Sequence, residues 1–159
     1  MTNPKLVHTP SHGDNVKEYT CKSFGQKYVV SVKYKSEVVT ALTQFCEDHA
    51  ITAGTISGIG AVNEATLRYF DSKQEKYVEK TFNEQMEVLN VTGNISLLED
   101  SSLYLHIHIV LGRNDFSAVA GHLGSAVING AGEFIIEPLN GNLRKVKYYD
   151  TRLNLFDLE

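Results

Sequence analysis

A chain of 159 residues, 42% hydrophobic and 21% charged, can bury one sizeable core but is short for two domains. Its 19 acidic and 15 basic residues give a formal net charge of −4, which argues against capture of nucleic acid by an overall basic field. Cys21 and Cys46 form neither a CxxC pair nor a repeating framework, which excludes a disulfide scaffold. No basic leader precedes an apolar run and no 18 apolar residues are consecutive, so the expectation is a soluble, cytoplasmic protein without a membrane span.

In chain order, residues 1–18 hold two prolines and no apolar period and read as an extended arm, with residues 19–159 as the domain. His8 and His12 lie in that arm, and Pro10 between them disfavours the helix that would pair them. Tyr28–Val32 reads as a strand. Ser36 is then the expected N-cap of a helix carrying Val38, Leu42, Phe45 and His49 on one stripe, with Cys46 and His49 expected in core packing and at the helix end. The glycines at 54, 58 and 60 lack the Gly-Lys-Ser/Thr of a phosphate loop, so they predict a bend, a bulge or a close backbone approach.

Ala65–Phe70 and Lys76–Phe82 flank a polar connection of hairpin type, and Met86–Thr92 predicts a strand running into a bulge at Gly93. Val127-Ile128 is strand or a short irregular piece, Glu133–Glu137 is strand, Pro138 stops it, and Val146–Tyr149 is a last strand. One helix and seven or eight strands define an α+β fold: a single domain with a largely antiparallel β-sheet. Arg144, Lys145, Lys147 and Arg152, interleaved with Tyr148, Tyr149 and Asp150, read as a solvated strand edge.

The chemistry concentrates in Leu105-His106-Ile107-His108-Ile109-Val110 and Ala120-Gly121-His122-Leu123. Strand side chains alternate, so His106 and His108 share a face about 6.5 Å apart along the chain. A hairpin folded about Asn114 would set His122 across from His106. Three imidazoles on one patch suit a divalent metal with one position left open; zinc is favoured as the redox-silent ion of such sites, although imidazole also suits copper, nickel and iron. Glu133 and Glu137 share a face of a following strand and are candidates for a fourth ligand or a general base, weighed against a solvated face.

Gly54–Val62, Glu87–Ser96, His106-Ile107-His108 and Gly121-His122-Leu123 together resemble the PPC-domain family, the domain shared by plants and prokaryotes. The resemblance runs from about Phe24 to the C-terminus and implies a compact α+β domain that assembles as a homotrimer. Plant members join this domain to AT-hook segments, and this chain has no Arg-Gly-Arg-Pro core. It is therefore similar to the stand-alone prokaryotic members, which carry a provisional DNA-binding label. The histidine pattern also looks like the zinc site of acetolactate decarboxylase, which implies metal binding at His106, His108 and His122. The expectation is a metal-binding PPC-type protein with a candidate DNA-binding or regulatory role, acting through a small molecule or partner protein. The alternative is a zinc-dependent lyase or hydrolase.

Overall fold

A computed structural model describes residues 16–158, so His8 and His12 lie outside the described residues. In chain order it comprises β1 (Tyr19–Phe24), β2 (Lys27–Val32), α1 (Val38–Asp48), β3 (Gly54–Asp71), β4 (Lys76–Phe82), β5 (Met86–Leu97), β6 (Leu103–Gly112), β7 (Ala118–Pro138), β8 (Arg144–Lys147) and β9 (Asn154–Asp157). One helix and one nine-stranded sheet, antiparallel except for the β5–β8 bridge, give the α+β single domain expected from the sequence.

The two longest strands organise the sheet. β7 pairs with β2, β3 and β6, while β3 pairs with β7, β5 and β4. Because β5 also pairs with β6, the contacts β3–β5, β5–β6, β6–β7 and β7–β3 form a closed circuit. Strands of 18 and 21 residues can bend round such a circuit only where the ladder slips, and the register shifts fall at Gly58/Gly60, Gly60/Val62, Val62/Glu64 and Thr66/Leu67. Glycine is required at position 60, since a Cβ there would lie 2.2 Å from the Ala131 carbonyl oxygen. The bend expected in this glycine-rich stretch is thus present, but the segments read separately as 54–62 and 65–70 are one continuous strand.

Helix α1 presents Val38, Ala41, Leu42, Phe45 and Cys46 to a core that includes Val30, Ile56, Ile107, Ile109, Phe134 and Ile136. Its N-cap is Glu37, where Ser36 was expected. The Glu37 carboxylate accepts from the Val39 and Thr40 amides at 2.9 and 2.7 Å and from the Ala126 amide of β7 at 3.1 Å, so the cap also ties the helix to the sheet. The Ser36 hydroxyl is engaged instead with the Glu18 carboxylate. Lys17 and Glu18, at the described end of the arm, meet Asp48 and Gln44 of the helix. His49 closes the helix with Nδ1 2.9 Å from the Phe45 carbonyl, which is the packing role expected for it, and Cys46 is fully buried.

Three local expectations differ from the structure. The β5 bulge lies at Val88/Asn90, not at Gly93, whose pairing is regular; Gly93 is needed because a Cβ would stand 2.7 Å from the His106 carbonyl oxygen. β8 covers Arg144–Lys147 where a strand at Val146–Tyr149 was expected. Strands β1 and β9 were not foreseen; β1 buries only Tyr19 and β9 is exposed throughout, so neither carries an apolar alternation.

Candidate metal centre

β6 buries Leu105, Ile107, Ile109 and Leu111 on its core face, which turns His106 and His108 to the other. A tight connection from Arg113 to Ser117 returns the chain. The Ser117 carbonyl accepts from the Arg113 amide at 2.8 Å, and the Asp115 carboxylate accepts from the Ser117 amide at 3.0 Å. This turn is centred one residue later than expected, on Asp115, so His122 stands in register with His108 and not with His106. The cross-strand partner thereby moves by two residues, and a shift of two preserves the face. Leu123 points into the core, so its neighbour His122 faces outward with the other two.

The three rings form a triangle with centroids 5.0, 4.8 and 5.5 Å apart. One ligating nitrogen from each lies within 4.8 Å of the others, and the Nε2 atoms of His106 and His108 are 3.2 Å apart. Four-coordinate zinc with Zn–N bonds of about 2.0–2.1 Å spaces its ligand nitrogens about 3.3 Å apart. The first pair already fits, and the third nitrogen lies within 4.8 Å of both. Burial above all, reinforced for His106 by the Lys145 charge and for His122 by His108 and Arg68, holds both imidazoles down to about 4. Both are therefore neutral at physiological pH, the form in which imidazole is a ligand.

Around the triangle stand Tyr104, whose ring is nearly parallel to His106 at 6.1 Å, and Tyr77, 5.4 Å from His122. Arg68, in register with His122, is held by Glu79 at 2.6 Å. Lys145 was read as part of a solvated basic edge, yet it is 4% exposed, with Nζ 3.3 Å from His106 Nδ1. The remaining residues of that run are exposed, and Arg152 pairs with Glu75 at 2.9 Å. No sequence signal marks Lys145, since its burial depends on Tyr104, His106 and Phe156, all remote or separate in the pattern.

The ligand cluster found among the described residues comprises the three histidines. Glu133 and Glu137 lie on β7 about 35 Å or more beyond His122 along the strand path at roughly 3.3 Å per residue. Glu137 pairs with Lys27 at 2.9 Å, and Glu133 lines a groove of about 690 Å³ with Val29, Ile59 and Ile135.

Fold and site together define a small, mostly antiparallel sheet protein bearing a facial three-imidazole cluster. The chain belongs to the Plants and Prokaryotes Conserved domain family, whose domain matches residues 19–140. Among solved structures it is similar to a candidate DNA-binding protein of Bacteroides thetaiotaomicron, with 48% identity and a TM-score of 0.85 over 88% of this chain and 97% of that one. It is also similar to a metal-containing protein of Archaeoglobus fulgidus, with 32% identity and a TM-score of 0.78 over 90% and 99% of the two chains. A Staphylococcus aureus protein similar to alpha-acetolactate decarboxylase shares the sheet architecture at 9% identity and a TM-score of 0.51, covering 79% of this chain and 56% of that one. No curated protein sequence matches the chain. Among the described residues, no helix is long and apolar enough to cross a membrane.

Proposed function

We propose that this chain is a metal-binding member of its family that holds one divalent ion, zinc before others, on His106, His108 and His122. It works as a homotrimer through a small molecule or a partner protein. The observation that carries the reading is the convergence of three ligating nitrogens within 4.8 Å on one sheet face, two of them already at the spacing zinc requires. The Archaeoglobus fulgidus relative, described as metal-containing, supports it. Bound zinc would supply Lewis acidity at its open position, while the two-strand scaffold fixes the imidazoles and burial keeps two of them unprotonated. Asn94, Thr92 and the tyrosines complete a polar, aromatic surround on the same face.

A zinc-dependent lyase or hydrolase needs an acid or base beside the ion; the cluster holds no carboxylate, and its titratable neighbours among the described residues are Lys145, Tyr77 and Tyr104. A direct role on DNA is suggested by the description of the Bacteroides thetaiotaomicron relative, and the charge of this chain favours it less. Arg68, Arg113 and Arg152 are each tied to a glutamate, Lys145 is buried, and the chain is acidic overall.

The test is thermal unfolding with and without zinc. At a concentration about a hundred times its dissociation constant, zinc stabilises by about 2.7 kcal/mol, which for a chain of this size raises Tm by about 5–10 °C. A His106→Ala, His108→Ala double variant that shifts as far as wild type would remove the reading. Light scattering checks the trimer, and a monomer mass at micromolar concentration would count against it.

A further inference from the structure

The surround of His106 contains a charge that metal ligation alone leaves unexplained. Lys145 is 4% exposed, its Nζ sits 4.5 Å from the centre of the Phe156 ring and 5.4 Å from that of Tyr104, and it touches His106 Nδ1 at 3.3 Å. None of the ion pairs among the described residues includes it. A buried ammonium is ordinarily matched by a carboxylate, and here the nearest polar partner is the ring of a residue that would itself carry a cation. Aromatic faces relieve part of that cost and do not cancel a full charge.

A second polar group is also left open. Asn94 stands in register with His106 on β5, and its buried Oδ1 has no hydrogen-bond partner. Buried polar atoms are nearly always satisfied, so an unpaired cation beside the imidazole describes a binding site, not a packed wall, and the open Asn94 acceptor calls for a donor, which a carboxylate oxygen does not supply. Lys145 stands at Nδ1 of the same ring whose Nε2 would face a divalent ion, which would add two more positive charges nearby. The Lys145 hairpin, β8–β9, lies beyond residues 19–140, which the family domain matches.

We propose that the histidine site takes a small carboxylate ligand, and that Lys145 is the residue that binds its negative charge beside the metal. This rests on the metal-site reading above. A carboxylate fits better than a phosphate because, among the described residues at the site, Lys145 is the cation whose charge no carboxylate offsets: Glu79 sits 2.6 Å from Arg68 Nε, and the N-terminus of α1 is capped by Glu37. The Tyr104 ring lies 6.1 Å from the His106 ring, and Asn94 Oδ1, opposite His106 in the ladder, would meet only a donor on another part of the ligand.

The experiment uses the full chain loaded with Co²⁺, whose visible absorption reports ligation at the open position. Acetate is titrated into wild type, Lys145→Met and Lys145→Arg, with methylphosphonate as the second probe. Cobalt bands before any acetate establish the histidine site by itself, and circular dichroism establishes the fold of each variant. The expected result is equal cobalt loading in all three, with acetate half-saturation weakened about ten-fold or more in Lys145→Met and largely kept in Lys145→Arg, as loss of a charge-assisted hydrogen bond predicts. Lys145→Gln carries the same test if Lys145→Met does not fold. Equal acetate affinity in wild type and the neutral variant overturns the role of Lys145. Tighter, equally Lys145-dependent binding of methylphosphonate overturns the carboxylate assignment. Absence of cobalt bands in wild type overturns the metal-site reading and the proposal with it.

Discussion

Gly93→Ala probes how the sheet builds the metal centre. Gly93 pairs with Ile107 on one side and Ile56 on the other, and a Cβ would stand 2.7 Å from the His106 carbonyl oxygen and 3.2 Å from the Ile107 Cα. The Ile107 Cγ1 at 3.0 Å could turn aside, but the other two obstacles are backbone, so relief requires β6 to move off β5 by about half an ångström, in a ladder whose spacing is normally about 4.8 Å. Overpacking of this kind costs about 1–3 kcal/mol, against about 0.5–1 kcal/mol regained by replacing glycine in a strand. Backbone obstacles place the net cost near the upper end, about 2 kcal/mol, or about 4–8 °C in Tm. The displaced segment is the one that carries His106, so zinc affinity falls about ten-fold, the scale seen when support for metal ligands is disturbed. The matched control is Gly112→Ala, whose Cβ would meet only the exposed Leu89 side chain at 3.2–3.3 Å. Urea unfolding and zinc titration of both variants provide the check. Equal stability and equal zinc affinity in the two would refute the argument.

Three further outcomes follow from the structure. Because His106 and His122 are held at about 4 in the folded chain against 6.5 when free, the unfolded state takes up protons first; metal-free stability is full above about pH 6.5 and falls as pH drops towards 4. Asp48, Asp100 and Asp115, lowered by hydrogen bonds, add their own loss only below 3.8, and urea melts across this range that stay flat between pH 7 and 4.5 would contradict the histidine contribution. Cys46, fully buried and pushed up to about 12 by that burial, resists thiol reagents until the chain unfolds, whereas exposed Cys21 reacts at once; two fast thiols in a stopped-flow assay would show the core to be open. Duplex DNA should bind no tighter than the roughly 10⁻⁴ to 10⁻⁶ M of non-specific contact at physiological salt. Submicromolar, sequence-selective binding lost in Arg144→Glu, Lys147→Glu would restore the regulatory reading.

The histidine face was legible because two simple rules suffice for it. Alternation in β6 sets His106 and His108 together, and any hairpin with the right parity adds His122. The error of one residue in the turn centre changed the cross-strand partner and left the face intact. Glu37 escaped as a cap because its carboxylate also reaches Ala126, a contact that depends on β7 lying beside the helix. The lengths of β3 and β7 escaped because glycines and bulges that look like strand ends are bends within one strand. Lys145 was hidden for a related reason: a charged residue in a charged run reads as solvated, and only the packing of β8–β9 against Tyr104 buries it.

The central claim is most directly tested by elemental analysis of protein purified without chelators. Wild type is expected to carry about one divalent ion per chain, since folding preorganises the three imidazoles, and the His106→Ala, His108→Ala double variant close to none. The same trace content in both proteins would contradict it.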